Sequence, residues 1–289
     1  MNLYKKWYFE AKVHKSLKTL FSYLAKALML KIAFVSLSGG QGKTTTSLLM
    51  GRILAQHGLN TLMVDGDPQA NLTTYLGHKV EEDAPTLLEV LKKICSPEDG
   101  IYLVESIDNL FLIPADDGLN SVQDYLANSG VGAISLKKRL SAIANAFDVC
   151  VIDSPPQRSQ LALTIIGASD ALVIPAEAAI KGYGSLARTL DLIHELKDAD
   201  ACEAELLGIV PFRDKWVGRT QTKESQQAIA AMAEEVGKDM ILPSLRESER
   251  YKQAINQSKT LRQLGYPDLE YPFEELLKKI LAKERETTP

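Results

Sequence analysis

Residues 36–47 read SLSGGQGKTTTS, a run suited to holding phosphate. Gly39, Gly40 and Gly42 leave the backbone N–H groups of residues 39–45 free to turn inward on an anion, with no Cβ in the way. Lys43 supplies a full charge for β- and γ-phosphates, and Thr44 a hydroxyl for Mg²⁺. Gly39, Gly40, Gln41, Gly42, Lys43, Thr44 and Thr45 are therefore the candidate nucleotide contacts. Two positions depart from the usual patterns. G-x-x-x-x-G-K-[ST] asks for glycine where Leu37 stands, and the variant K-G-G-x-G-K-T asks for lysine where Ser38 stands.

Carboxylates recur at two later places. In VDGDPQANLTTYL (64–76), Asp65 ends an apolar run and Asp67 follows two residues on, its backbone restricted by Pro68. Alternate residues share a direction, so both carboxylates suit one metal–phosphate site. One can hold metal-bound water and the other can orient or deprotonate an attacking water. In DVCVIDSPPQ (148–157) an apolar run ends in Asp153, the usual second half of such a site. Thr44, Asp65 and Asp153 are the candidate metal positions, and Ser154, Pro155 and Pro156 a candidate switch for sensing the γ-phosphate.

Elements that position these residues alternate along the chain. Short apolar runs predict strands at 31–37, 61–65, 110–115, 148–153, 171–176, 206–212 and 239–243. Helical periodicity predicts helices at 43–57, 86–94, 134–147, 184–197, 221–236, 249–258 and 273–284. Alternation of this kind gives an α/β fold with a mostly parallel central sheet flanked by helices on both faces, and the glycine–lysine loop makes it that of a P-loop NTPase. Ligands then sit at the carboxyl ends of the strands, where each motif above falls.

Composition sets outer limits. The chain has 289 residues, of which 45% are hydrophobic and 24% charged, as in an ordinary globular protein. Cys95, Cys150 and Cys202 form no C-x-x-C pair, which argues against a zinc site or a disulfide scaffold and fits a reducing cytoplasm. No run is long and apolar enough to cross a bilayer. Residues 1–30 carry a net charge of +5 and the remainder −9, so a polyanion must be met by a local patch. Val13, Leu17, Leu20, Phe21, Leu24 and Leu28 share one helical face among lysines. Residues 1–28 are read as a basic amphipathic extension that lies on a membrane, docks a partner or packs on its own domain, or as a stretch preceding a natural start at Met29; residues 29–289 form the enzymatic domain.

The order SGGQGKTT, VDGDPQANLT, LFLIPAD, CVIDSPP, LVIPAEAAIKGYGSL, ILPSLRESERYKQA resembles the ParA/MinD family of deviant-Walker ATPases, its ParA branch best, over residues 30–265. The resemblance implies a Mg²⁺-dependent ATP hydrolase that forms an ATP-bound homodimer and binds nucleoid DNA non-specifically. It further implies an adaptor protein of ParB/McdB type that stimulates hydrolysis. By motif position Lys43 is the loop lysine, Asp67 the hydrolysis aspartate, Asp153 the second acidic position, and Pro243 falls where the family builds its adenine pocket. In the family the lysine before the glycine pair crosses the dimer to the partner's phosphates. Ser38 cannot do so. Either that activation is lost or another cation supplies it, and Lys181 in AAIKGYGSL is the favoured substitute, with Gly182 and Gly184 letting its loop approach closely. A missing first lysine with a later replacement resembles the carboxysome-positioning branch; plasmid or chromosome partition and a MinD-like membrane switch are the alternatives. A membrane anchor would come from residues 1–30 or from FEELLKKILAK (273–283).

Two basic clusters could meet DNA: Arg213, Lys215, Arg219 and Lys223, and then Arg246, Arg250, Lys252, Lys259 and Arg262. The resemblance favours the second, and Arg219, Arg246, Arg250 and Lys252 are the candidate contacts. Phosphate contacts alone give sequence-independent, salt-sensitive binding. Base stacking on interleaved aromatic residues is not expected of either cluster.

Overall fold

A computed structural model describes residues 29–286. The amphipathic extension expected at 1–28 lies outside the described residues. In chain order the elements are β1 (Leu30–Phe34), α1 (Lys43–Gln56), β2 (Thr61–Asp65), α2 (Asn71–Tyr75), α3 (Leu87–Lys92), β3 (Tyr102–Leu103), β4 (Leu110–Ile113), α4 (Val122–Asn128), α5 (Gly132–Ser141), β5 (Val149–Asp153), α6 (Gln160–Ala168), β6 (Ala171–Glu177), α7 (Ile180–Asp198), β7 (Glu205–Asp214), β8 (Trp216–Val217), β9 (Thr220–Gln221), α8 (Lys223–Val236), β10 (Leu245–Arg246), α9 (Arg250–Asn256) and α10 (Pro267–Glu286).

Eight strands form one sheet in the order β10-β7-β6-β1-β5-β2-β4-β3. All neighbours run parallel except the short edge strand β3, which is antiparallel to β4. Strand residues alternate between two cores. Ala33 and Val35 face one side, with Ile152 and Ile174. Leu30, Ile32 and Phe34 face the other, with Val151 and Val173. Residues of α4 to α8 cover the first side, and those of α1, α9 and α10 the second. Both faces are thus buried, which is why the strands read as continuous apolar runs. Lys31 interrupts β1, and its ammonium pairs with Asp170 at 2.7 Å.

Local chemistry sets several helix starts. Thr86 and Glu89 form a reciprocal capping box on α3. Ser159 accepts from Ala162 N at α6, and Thr222 from Ser225 N at α8.

The fold departs from the sequence expectations in particular places. The strand expected at 239–243 is a 3-10 turn at Lys238–Met240 followed by a single bridge from Ile241 to Ile209. Pro243 has no N–H for a ladder, so pairing with β7 resumes only at Leu245. The helix expected to reach 147 stops at Ser141, with a separate 3-10 turn at Ala144–Ala146. The β8–β9 hairpin and the short helices α2, α4 and α6 went unread, being too short or too uniformly apolar to show a period.

One buried group ties the nucleotide-loop helix to its neighbours. Arg52 of α1 is 1% exposed. Its guanidinium donates to Ala254 O at 2.8 Å and Ile255 O at 3.2 Å in the last turn of α9, and to Tyr75 O at the end of α2. Burial lowers its pKa to about 10.

Candidate nucleotide site

The glycine loop leaves the carboxyl end of β1, the central strand of the site, and opens directly into α1. Gly42 caps that helix at φ 91°, a left-handed conformation, and a Cβ there would meet the Phe212 ring at 2.6 Å. Gln41 is fully buried: its Oε1 accepts from Glu177 N at 2.8 Å, bracing the loop against the end of β6. Its side chain therefore positions the loop, and only its backbone is left to serve a nucleotide.

Residues from four strand ends line one cavity of about 280 Å³. Gly39 to Thr45 follow β1; Asp67, Gln69, Asn71 and Tyr75 follow β2; Pro156 follows β5; Phe212 and Arg213 end β7. Lys43 is 6% exposed and its Nζ donates to Ser38 O at 3.1 Å. Burial lowers its pKa, against the pull of Asp153 and Asp67. Thr44 Oγ1 donates to Asp153 Oδ2 at 2.6 Å. The other Asp153 oxygen, Oδ1, is buried with no hydrogen-bond partner. Burial and then the neighbouring Asp65 push the Asp153 carboxyl up to about 8. An orphaned carboxylate oxygen beside a threonine hydroxyl and a lysine is a setting that a divalent cation would complete.

Asp65 lies beside Asp153 in the β2–β5 register. Its oxygens, however, are taken up by its own loop: Oδ2 accepts from Thr73 N at 2.8 Å and Thr73 Oγ1 at 2.7 Å, and Oδ1 from Asp67 N at 3.2 Å. Burial raises its pKa to about 6. This geometry makes Asp65 the staple that folds residues 66–73 over the site. Asp67 faces the cavity, and its Oδ1 accepts from Gln69 N at 3.0 Å.

Lys181 stands in the first turn of α7, exposed and outside the cavity lining, rather than in a loop ahead of a helix. Gly182 has a packing role within the chain: a Cβ there would lie 1.8 Å from Glu177 O, so it lets the helix start press against the end of β6. Pro243, half-buried beside β7, is likewise absent from the cavity lining. Phe212 went unnoticed in the sequence, and Arg213 was read only as part of a DNA-facing basic cluster, although both line this cavity and their place at a strand's carboxyl end was the available signal. Arg213 holds φ at 53° and reaches Glu177 at 3.9 Å.

The two basic clusters meet in space. Arg246 stacks over the Trp216 ring at 4.3 Å, joining β10 to the β8–β9 hairpin that carries exposed Arg219. Arg250 lies over the Tyr266 ring at 4.7 Å. Aromatic rings therefore do accompany the basic side chains, contrary to the sequence expectation: Trp216 stands between Lys215 and Arg219 within the first cluster, and Tyr266 comes from beyond the second. Lys252 is exposed and pairs with Glu249 at 3.1 Å, while Arg262 is engaged by Glu270 and Glu274.

A P-loop opening into a helix, with aspartates at two flanking strand ends on a mostly parallel sheet, defines a P-loop ATPase of the ParA type. Residues 29–201 match the family model described as an AAA domain. The chain is 54% identical to maintenance of carboxysome distribution protein A of Synechococcus elongatus, over 87% of this chain and 99% of that one. It is 29% identical to the chromosome-partitioning ATPase Soj of Thermus thermophilus, over 83% of this chain and 90% of that one. Among solved structures, an ATP complex of a Cyanothece McdA variant superposes with a TM-score of 0.86 and 51% identity, covering 88% of this chain and 97% of that one. The chain belongs to this family of carboxysome-distribution ATPases.

Proposed function

We propose that the chain hydrolyses ATP at this loop to drive the positioning of a cargo, carboxysomes, over nucleoid DNA in the cytoplasm. The observation that carries the chemistry is the Thr44–Asp153 pair with its orphaned carboxylate oxygen, buried directly behind Thr44, which lines the same cavity as Lys43 and Asp67. Thr44 and Asp153 would hold Mg²⁺, which when bound offsets charge on the β- and γ-phosphates. Lys43 leaves its resting bond to Ser38 O to meet those phosphates. Backbone N–H groups of Gly39 to Thr45 cradle them, and the start of α1 adds positive potential. Asp67 orients the attacking water, held in place by the Asp65–Thr73 staple.

The finer reading follows the family. ATP joins two copies face to face along the carboxyl edge of the sheet. Lys181 reaches across that face to the partner's phosphates in place of the lysine absent at Ser38. Its start-of-helix position is disfavoured by the helix dipole by about 0.3–1 kcal/mol, which a nearby triphosphate offsets. The dimer binds DNA through Arg219, Arg246, Arg250 and Lys252, and an adaptor of ParB/McdB type stimulates hydrolysis. Partition of a plasmid or chromosome would use the same machinery; the higher identity to the carboxysome relatives favours that cargo. The membrane alternative loses one anchor, because Phe273, Leu276, Leu277 and Ile280 of α10 are buried in the core.

Two measurements test this. DNA retention by the purified protein is expected with ATP and lost with ADP or without nucleotide; equal retention in all three states contradicts the nucleotide-gated reading. Lys181→Ala is expected to slow phosphate release by about 100-fold or more while leaving the fold intact. An unchanged rate removes Lys181 from the site.

A further inference from the structure

The ascending arm of the nucleotide loop is docked along one helix. Ser36 Oγ meets Ser185 Oγ at 3.0 Å, Leu37 N donates to Thr189 Oγ1 at 3.1 Å, and Arg188 Nη2 donates to Ser38 Oγ at 3.1 Å. Three consecutive loop residues are thus held by three side chains of α7. The first two bonds involve buried helix residues, Ser185 and Thr189, each fully enclosed. The third differs, because Arg188 is exposed and carries a charge.

Ser38 consequently sits between two cations. Its carbonyl oxygen accepts from Lys43 on the inner side, and its hydroxyl from Arg188 on the outer side. Beyond Ser38 the loop is open: Gly39 and Gly40 are exposed, and a Cβ at either would meet nothing within 4 Å. A guanidinium has five N–H donors in a planar fork that matches phosphate oxygens, so one bond to Ser38 leaves most of that capacity unused. Lys181 stands seven residues earlier on α7, two turns along the same face. Among the described residues neither Lys181 nor Arg188 forms an ion pair. Two unpaired cations on one helix face, one of them fixed to the rim of an anion-binding loop, lack only an anion.

We propose that Arg188 is a phosphate-directed cation of this site, presenting its guanidinium at the open rim of the loop to the terminal phosphoryl group of a nucleoside triphosphate. Ser38 acts as its bracket: a short hydroxyl holds the guanidinium where a longer side chain at position 38 would displace it. Charge at the rim thus comes from α7 instead of the loop. The inference rests on the ATPase reading and adds a residue to it. Because Arg188 meets only the terminal phosphoryl group, its effect falls on triphosphate turnover and spares diphosphate affinity.

Four variants of the full chain, assayed for ATP turnover, ADP affinity and thermal unfolding, test this. Arg188→Ala and Arg188→Gln are expected to lower kcat by about 10–100-fold with ADP affinity and unfolding temperature unchanged. Arg188→Lys is expected to keep more of the rate than either. Ser38→Lys added to Arg188→Ala is expected to recover rate by restoring charge from the loop side. A wild-type rate in Arg188→Gln, which can still donate to Ser38, would mean a bracing role only and overturn the proposal. Parallel loss of ADP affinity or of stability in all the Arg188 variants would overturn it too, by tracing the defect to loop geometry. Failure of the unaltered protein to hydrolyse ATP would instead count against the ATPase reading, before any variant is compared.

Discussion

Asp153 shows how a single side chain can be built for an absent charge. Its carboxyl is fully enclosed, one oxygen accepts from Thr44 and the other has no partner. Burial and the adjacent Asp65 raise its pKa to about 8, so near neutral pH a proton competes with a cation for this carboxyl. The sign follows. An acid with a raised folded-state pKa destabilises the fold as pH climbs from the ordinary carboxylate range to that value, and a cation that needs the ionised form must displace the proton. Affinity for Mg²⁺-nucleotide is therefore expected to rise between about pH 6.5 and about pH 8, by up to about tenfold per unit, and then level off. Calorimetric titration at several pH values measures this; Asp153→Asn should bind weakly with a flat profile, and a flat profile in the unaltered protein contradicts proton competition at Asp153. The loop itself was legible because its glycines, lysine and threonine are neighbours in sequence. The role of Asp65 was not, since its donors come from Thr73, brought back by a turn at Ala70 with φ 52°.

At the scale of elements, α7 carries the most that sequence could not supply. Gly182 and Gly184 suggested a loop, and the helix was expected to begin at 184. It begins at Ile180, a start that glycine at 182 permits, since a Cβ there would lie 1.8 Å from Glu177 O. A glycine's role thus depends on what lies beside it, which periodicity does not report. The two glycines are predicted to respond oppositely to alanine. Gly182→Ala forces a Cβ into backbone and should cost about 1–3 kcal/mol or more in urea denaturation. Gly184→Ala meets only the Arg188 guanidinium, at 3.6 Å, and should stabilise by roughly 0.5–1 kcal/mol through helix propensity. Destabilisation by both would mean that the helix start has no room on either side. The core strands were legible, since burial on both faces leaves an unbroken apolar run. DMILP misled for a related reason: an apolar run also forms where a segment merely closes one face of the core, as Leu242 does.

For the whole molecule, the arrangement of charge is the feature that composition concealed. The body is net acidic, yet the fold brings Arg219, Arg246 and Arg250 to the β7–β10 end of the sheet, two of them stacked on aromatic rings. Charge reversal at Arg250 and Lys252 together is expected to abolish ATP-dependent retention on DNA at moderate salt, with the ATPase rate measured without DNA unchanged. Retention that survives would move the contact surface elsewhere. The strand order also bears on how the chain is made. β1 lies between β5 and β6, and Leu30 pairs with Val149. A nascent chain emerging from the ribosome therefore carries its first strand with both edges bare until residues far downstream have been synthesised. A polypeptide cut short before β5 would lack Asp153 and expose a sticky apolar ribbon. Assembly of the centre is thereby a late event in biogenesis, and a chaperone that shields that ribbon would act on the half-made chain.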